Sequence, residues 1–153
     1  MINDNIQYVK LEKHDTKDIT DQHVNGSLTV VWRDWDNTIK NQPKMVYVSS
    51  VNPGEIKGPH VHTRRNSYFV CIHGKVVFVI KDHNGKYEEI ESSAEEPILV
   101  YVPKNFPSAH LNLSNEISRI LTLADMSWRP NDNEMKNVVF DDYDWSKWKN
   151  IKL

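Results

Sequence analysis

Short apolar runs rich in Val, Ile, Tyr, Phe and Trp recur along the chain, separated by clusters of Gly, Pro, Asn and Asp. Runs of that length and spacing are the mark of an all-β fold built from many short strands. The pattern predicts strands at 27–33, 44–51, 68–72, 75–81, 87–90, 98–102, 109–113 and 118–123. Two turns stand out: His73-Gly74 between apolar runs, and Asp82-His83-Asn84-Gly85, whose Asn-Gly pair supplies the positive φ a tight hairpin needs. Together they predict a meander from Tyr68 to Ile90. A helical period first shows in 134–153, where Trp145 and Trp148 stand three apart, so a short helix or docked arm is expected there. Phe140, Tyr143, Trp145 and Trp148 are too large to leave in water and are expected to pack across the barrel or against a second subunit.

Length and composition narrow the function classes. At 153 residues the chain fits one domain, 1–153, with residues 1–25 read as a lead-in strand and loop. Its 26% charged residues sum to a net charge of -2 with no long run of one sign, which argues against a nucleic-acid or membrane surface. The single cysteine, Cys71, sits in the apolar run Tyr68-Phe69-Val70-Cys71-Ile72, where it serves as a small hydrophobe and fits a reducing compartment. The first ten residues lack a signal-peptide pattern, and no stretch approaches the roughly 18 apolar residues of a membrane span, so a cytoplasmic protein is expected. Gly-rich phosphate loops, Walker patterns, nucleophile elbows and CxxC pairs are absent, so neither a redox cofactor nor covalent serine or cysteine chemistry is indicated.

The most informative segment is Pro53-Gly54-Glu55-Ile56-Lys57-Gly58-Pro59-His60-Val61-His62. On a strand His60 and His62 point to the same face, because side chains alternate with period two. Two imidazoles so placed form a metal pair, an acid–base site, or merely two exposed loop histidines.

KGPHVH followed by SYFVCIHGKVVFVI resembles the RG-x-H-x-H or RGLHxQ segment, and the strands after it, of cupin-fold (RmlC-like) nucleotide-sugar enzymes. These are the dTDP-4-dehydrorhamnose 3,5-epimerase family and the dTDP-sugar 3,4-ketoisomerases. The likeness continues at Val102-Pro103-Lys104-Asn105-Phe106, similar to IP-x-G-F, and at Phe140-Asp141-Asp142, similar to W-[DN]-D, and so spans roughly 44–148. It implies an all-β, cupin-type antiparallel jelly-roll barrel that forms a homodimer. It also implies an isomerase needing neither metal nor other cofactor, which epimerises a nucleoside-diphosphate 4-keto-6-deoxy sugar.

By the same resemblance His60 is the base and Asp142 its carboxylate partner, with Asp141 as the neighbouring rival. The physics agrees, since a neutral imidazole oriented by a carboxylate can remove a proton α to a ketone near neutral pH. Lys57, Tyr47 or Tyr68 would meet the enolate oxygen. Arg64 and Arg65 suit a diphosphate, and His62, His110 and Trp128 complete the expected substrate contacts. The stretch Ala124-Asp125-Met126-Ser127-Trp128-Arg129-Pro130 lacks the tyrosine that the 3,5-epimerases carry there as acid. The ketoisomerases use an aromatic hydroxyl on the strand before the histidines, and Tyr47 is placed like theirs; the competing reading is cross-strand packing.

Two other functions compete. In a metal-binding cupin His110 would join His60 and His62 as a third ligand, but Asn66 and Ser67 stand where such proteins carry a glutamate. A non-catalytic sugar- or nucleotide-binding barrel is the other, because the fold hosts many functions. His73 and His83 read as exposed turn residues, and His14 and His23 have no partner at ligand spacing.

Overall fold

A computed structural model describes residues 4–148, so residues 1–3 of the expected lead-in and 149–153 of the expected arm lie outside the described residues. Its first strands are β1 (Gln7–Lys10), β2 (Lys13–Lys17), β3 (Val24–Thr29), β4 (Met45–Val51), β5 (Ile56–His62) and β6 (Ser67–His73). They are followed by β7 (Lys75–Lys81), β8 (Tyr87–Ser93), β9 (Ile98–Val102), β10 (Ser108–Asn112), β11 (Ser118–Ala124) and β12 (Met135–Asn137). One five-stranded sheet runs β1-β9-β6-β11-β4, a second runs β12-β5-β10-β7-β8, and β2 and β3 form a separate ribbon. Every pairing is antiparallel. The all-β jelly-roll expectation is met.

Alternation along the strands produces three apolar layers. Phe69, Cys71, Val100, Val102 and Ile120 from the first sheet meet Val76, Phe78, Ile80 and Ile90 from the second. The other face of the first sheet, with Tyr68, Val70, Leu99, Tyr101 and Leu123, is covered by Val31, Trp32 and Ile39. The outer face of the second, with Val77, Val79, Ala109 and Leu111, is covered by Phe140 and Trp148. Strands buried on both faces read as unbroken apolar runs rather than alternating ones, and β6, β7 and β9 do so. Burial of an aromatic side chain such as Phe140 is worth about 2–3 kcal/mol, which is what docks the C-terminal arm. Cys71 is fully buried, and that burial pushes its thiol up to about 11, as suits a packing residue.

Several expectations are corrected. The predicted strand at 27–33 is shifted to β3, because Val31 and Trp32 leave the ribbon to cover the first sheet. The meander breaks at Gly74 (φ 77°), where the chain crosses from one sheet to the other: β6 pairs with β9 and β11, and only β7 and β8 form a hairpin. Ser118 Oγ would lie 2.4 Å from a Cβ at position 74, so glycine is required there. Hairpin closure by Asp82-His83-Asn84-Gly85 is as expected, with Gly85 at φ 81° and its N–H donating to Asp82 O. In the C-terminal arm the expected helix reduces to a 3-10 turn at Trp145–Trp148, and Met135–Asn137 pairs as a strand. Among the described residues no helix is long and apolar enough to cross a membrane.

Candidate active site

β5 carries the histidines along a shared border. On one side it pairs with β10, and the register jumps there: Ser108 opposes His60 while His110 opposes Lys57. Two steps on β10 therefore match three on β5, a bulge at Gly58-Pro59. Gly58 has φ 91°, and a Cβ there would lie 2.9 Å from Ser108 O, so only glycine fits. In a regular strand Lys57 and His60 would face opposite ways. The bulge turns Lys57 to the side of His60 and His62, and all three line one cavity of about 430 Å3.

On its other side β5 pairs with β12, with Met135 opposite His62 and Asn137 opposite His60. Each imidazole is held from there. His60 Nδ1 is 2.9 Å from Asn137 Oδ1, and His62 Nδ1 is 2.7 Å from Glu134 Oε1. Glu134 is 1% exposed, and its other oxygen accepts from the backbone N–H groups of Arg64 and Arg65, both at 3.2 Å. Burial alone would raise the Glu134 carboxyl. The His62 hydrogen bond and the backbone donors outweigh it and hold the acid below the ordinary carboxylate range. Burial lowers His62, against the pull of Glu134, and the Arg65 charge lowers it further, so the ring is neutral at pH 7.

β10 contributes His110 from the inner face, with its ring packed edge-on against Phe69 at 4.7 Å and Phe78 at 4.9 Å. Desolvation, helped by the charges of Lys57, His60 and His62, pushes its pKa down to about 3. From the opposing sheet, Tyr47 and Ser49 alternate inward along β4, and Tyr47 joins the inward row of Thr122 and Phe69. Trp128, 62% exposed, stands at the rim, where its backbone N–H donates to Met45 Sδ.

Of the sequence candidates, the structure therefore brings Tyr47, Lys57, His60, His62, Arg65, His110 and Trp128 to one cavity. Three others are elsewhere. Tyr68 lies on the far face of β6, stacked on Tyr101 at 4.7 Å with its hydroxyl accepting from Lys40 N–H, because its neighbour Phe69 takes the inward position. Arg64 is exposed and donates to Asp132 O, bracing the turn outside, while the next residue, Arg65, points in. Asp142 is exposed on the outer face of the second sheet, accepting from the Tyr87 hydroxyl and 3.7 Å from Lys81 Nζ. The cause is Phe140, which anchors in the outer cluster and leaves the Asp141-Asp142 pair on the side away from the histidines.

Glu134 and Asn137 are the functional candidates that sequence reasoning missed. Neither sits at motif spacing from the histidines: Glu134 is 72 residues from His62 and Asn137 is 77 from His60. The nitrogens of His60, His62 and His110 do not gather as a ligand set. Among the described residues the one group of three or more such donors within 4.8 Å of each other is Asp18, Asp21 and His23, on the exposed ribbon.

Comparison with known proteins fits this geometry. The model of one family, FdtA: WxcM-like, C-terminal, matches residues 6–143. No curated protein matches the chain by sequence. A dTDP sugar isomerase from Desulfovibrio desulfuricans G20 superposes with a TM-score of 0.80 at 15% identity, over 92% of this chain and 90% of that one. QdtA, a sugar 3,4-ketoisomerase from Thermoanaerobacterium thermosaccharolyticum, gives 0.67 at 17% identity over 95% and 93%. ChmJ, a 3'-monoepimerase from Streptomyces bikiniensis, gives 0.71 at 18% identity over 87% and 69%. All share the cupin-type jelly roll.

Proposed function

We propose that this chain, which belongs to the FdtA (WxcM-like, C-terminal) family, is an isomerase of nucleoside-diphosphate 4-keto-6-deoxy sugars that works by proton transfer α to the ketone. The observation that carries the reading is the pair of imidazoles on one face of β5. Both have Nδ1 engaged from behind, which leaves Nε2 to the cavity. One neutral imidazole takes the proton from the hydroxyl-bearing carbon next to the ketone, and the electron pair moves toward the carbonyl oxygen. Lys57 and His110, cross-strand neighbours in the wall, meet the charge developing on that oxygen. A neutral His110 does so as a donor that carries no charge of its own.

Returning the proton to the former carbonyl carbon, while the hydroxyl proton passes from one oxygen to the next, moves the ketone by one carbon. The sum of atoms and electrons is unchanged, so no oxidant or reductant is consumed. Two proton carriers on one side of the sugar suit this ketone migration. Epimerisation is the second reading: although the sequence likeness sets Tyr47 beside the ketoisomerases' aromatic hydroxyl, the residue reaches the cavity from the sheet opposite the histidines, a position that would also let it protonate the other face of the sugar. Trp128 at the rim offers a face for the nucleobase. A homodimer and a cytoplasmic location belong to the same reading. Val46 and Val48 lie exposed on the outer face of the edge strand β4, in line with Leu123 and Leu121, and the lone cysteine is buried and unpaired.

The test is incubation with a panel of such sugars in D2O, read by NMR. A carbonyl carbon moved from C4 to C3 supports ketoisomerisation, deuterium at C3 or C5 with the ketone still at C4 supports epimerisation, and the absence of both refutes isomerase activity. His60→Asn is expected to slow the reaction by on the order of a hundredfold or more while nucleotide affinity and melting temperature hold.

A further inference from the structure

The two imidazoles differ in what stands behind them. His60 faces a side-chain amide, which can offer either its oxygen or its nitrogen by turning over, so Asn137 tolerates both ring tautomers. His62 faces a carboxylate. An ionised carboxylate only accepts, so a neutral His62 must carry its proton on Nδ1 and keep a lone pair on Nε2. Glu134 is not free to be anything else: it is 1% exposed, and its second oxygen is occupied by two backbone donors. Arg65 completes the arrangement. Its side chain is 7% exposed, and its Nε lies 3.4 Å from Glu134 Oε1, near enough for charge pairing but too poorly aligned for a hydrogen bond. A buried carboxylate with a cation alongside stays ionised.

Resting on the reading of His62 as a proton carrier, we propose that Glu134 is a positioning residue that locks His62 in the Nδ1–H tautomer, so that its Nε2 always presents a proton acceptor to the cavity. A merely structural Glu134, serving only to tie the turn after β5, would need the Arg64 and Arg65 backbone contacts alone. The device gives a sharp expectation for Glu134→Gln. The amide has one oxygen, and the two backbone N–H groups claim it, since an NH2 group turned toward them would leave donors facing donors. The NH2 group then faces His62 Nδ1, which must become the acceptor. The proton shifts to Nε2, and the cavity meets a donor where it met a base.

Long-range 1H–15N NMR of the imidazoles at pH 7.5 reads this directly, without substrate. In the native protein the His62 Nδ1 resonance is expected to be of the protonated type and Nε2 of the unprotonated type, and in Glu134→Gln the two exchange. With substrate, kcat is expected to fall at least about a hundredfold while KM stays within about threefold. Glu134→Asp, which keeps an acceptor-only group, is expected to retain the native tautomer and part of the activity. A native His62 protonated on Nε2 overturns the inference even if Glu134→Gln fails to fold, and so does a variant with unchanged tautomer. An exchange of tautomers in a protein that turns over no nucleotide sugar supports the lock and refutes the proposed reaction instead.

Discussion

His110 should make the protein acid-sensitive in a way that can be isolated. Its ring is wedged between Phe69 and Phe78 beside Lys57, His60 and His62, and its pKa is lowered from 6.5 to about 3. A depressed imidazole favours folding above its unfolded value, and that advantage is lost as pH falls toward the folded value, because only the unfolded chain takes up the proton. At pH 4.5 the unfolded ring is two units below its pKa and almost fully charged, while the native ring is still mostly neutral. The loss between pH 7 and 4.5 is then about 2.5 kcal/mol from this residue. His110→Gln removes the titration without removing the polar group from the cavity wall. Urea unfolding of both proteins at pH 7 and 4.5 measures the difference. His62, also depressed, and Glu134 titrate in both proteins and cancel. The wild type should lose about 2.5 kcal/mol more than the variant, within a factor of two. Parallel losses in the two proteins would refute a buried neutral His110.

Tyr47→Phe tests whether the chemistry uses an acid from the opposing sheet. Loss of about a hundredfold in kcat with the fold intact makes its hydroxyl an acid, and full activity returns Tyr47 to packing. Asp142→Asn is expected to leave turnover within about twofold of wild type, because the carboxylate serves Tyr87 and Lys81 on the outer face; a large loss would mean that it reaches the cavity in some other state. Val48→Asp places a charge on the exposed row beside Leu121 and is expected to weaken a dimer at least about tenfold by sedimentation while the monomer keeps its circular dichroism spectrum.

Much of the fold is legible in local pattern. The positions of β4 and of β6 to β11 follow from runs of β-branched and aromatic residues, and the β7–β8 hairpin from its Asn-Gly turn, whereas β1, β2 and β12 lie outside those runs. The shared face of His60 and His62 needs nothing beyond strand parity. Where parity fails, so does the prediction. On β6 both faces are apolar, so nothing local tells which of Tyr68 and Phe69 turns inward; the covering segment with Trp32 and Ile39 decides it. Lys57 looks misplaced by one residue until the bulge at Gly58-Pro59 turns it over.

Residue order alone therefore determined an all-β chain, most of the strands of its central sheets, and a histidine pair on one face, since each rests on interactions within a few residues. Tertiary structure alone decided what stands behind each imidazole. Glu134 and Asn137 reach the histidines because β12 closes on β5 across more than seventy residues of chain, and Asp142 does not because Phe140 is buried in the outer cluster of the other face. A carboxylate acquires its role from the donors and charges that surround it. Those surroundings come from strands paired across the sheet, which no spacing along the chain encodes.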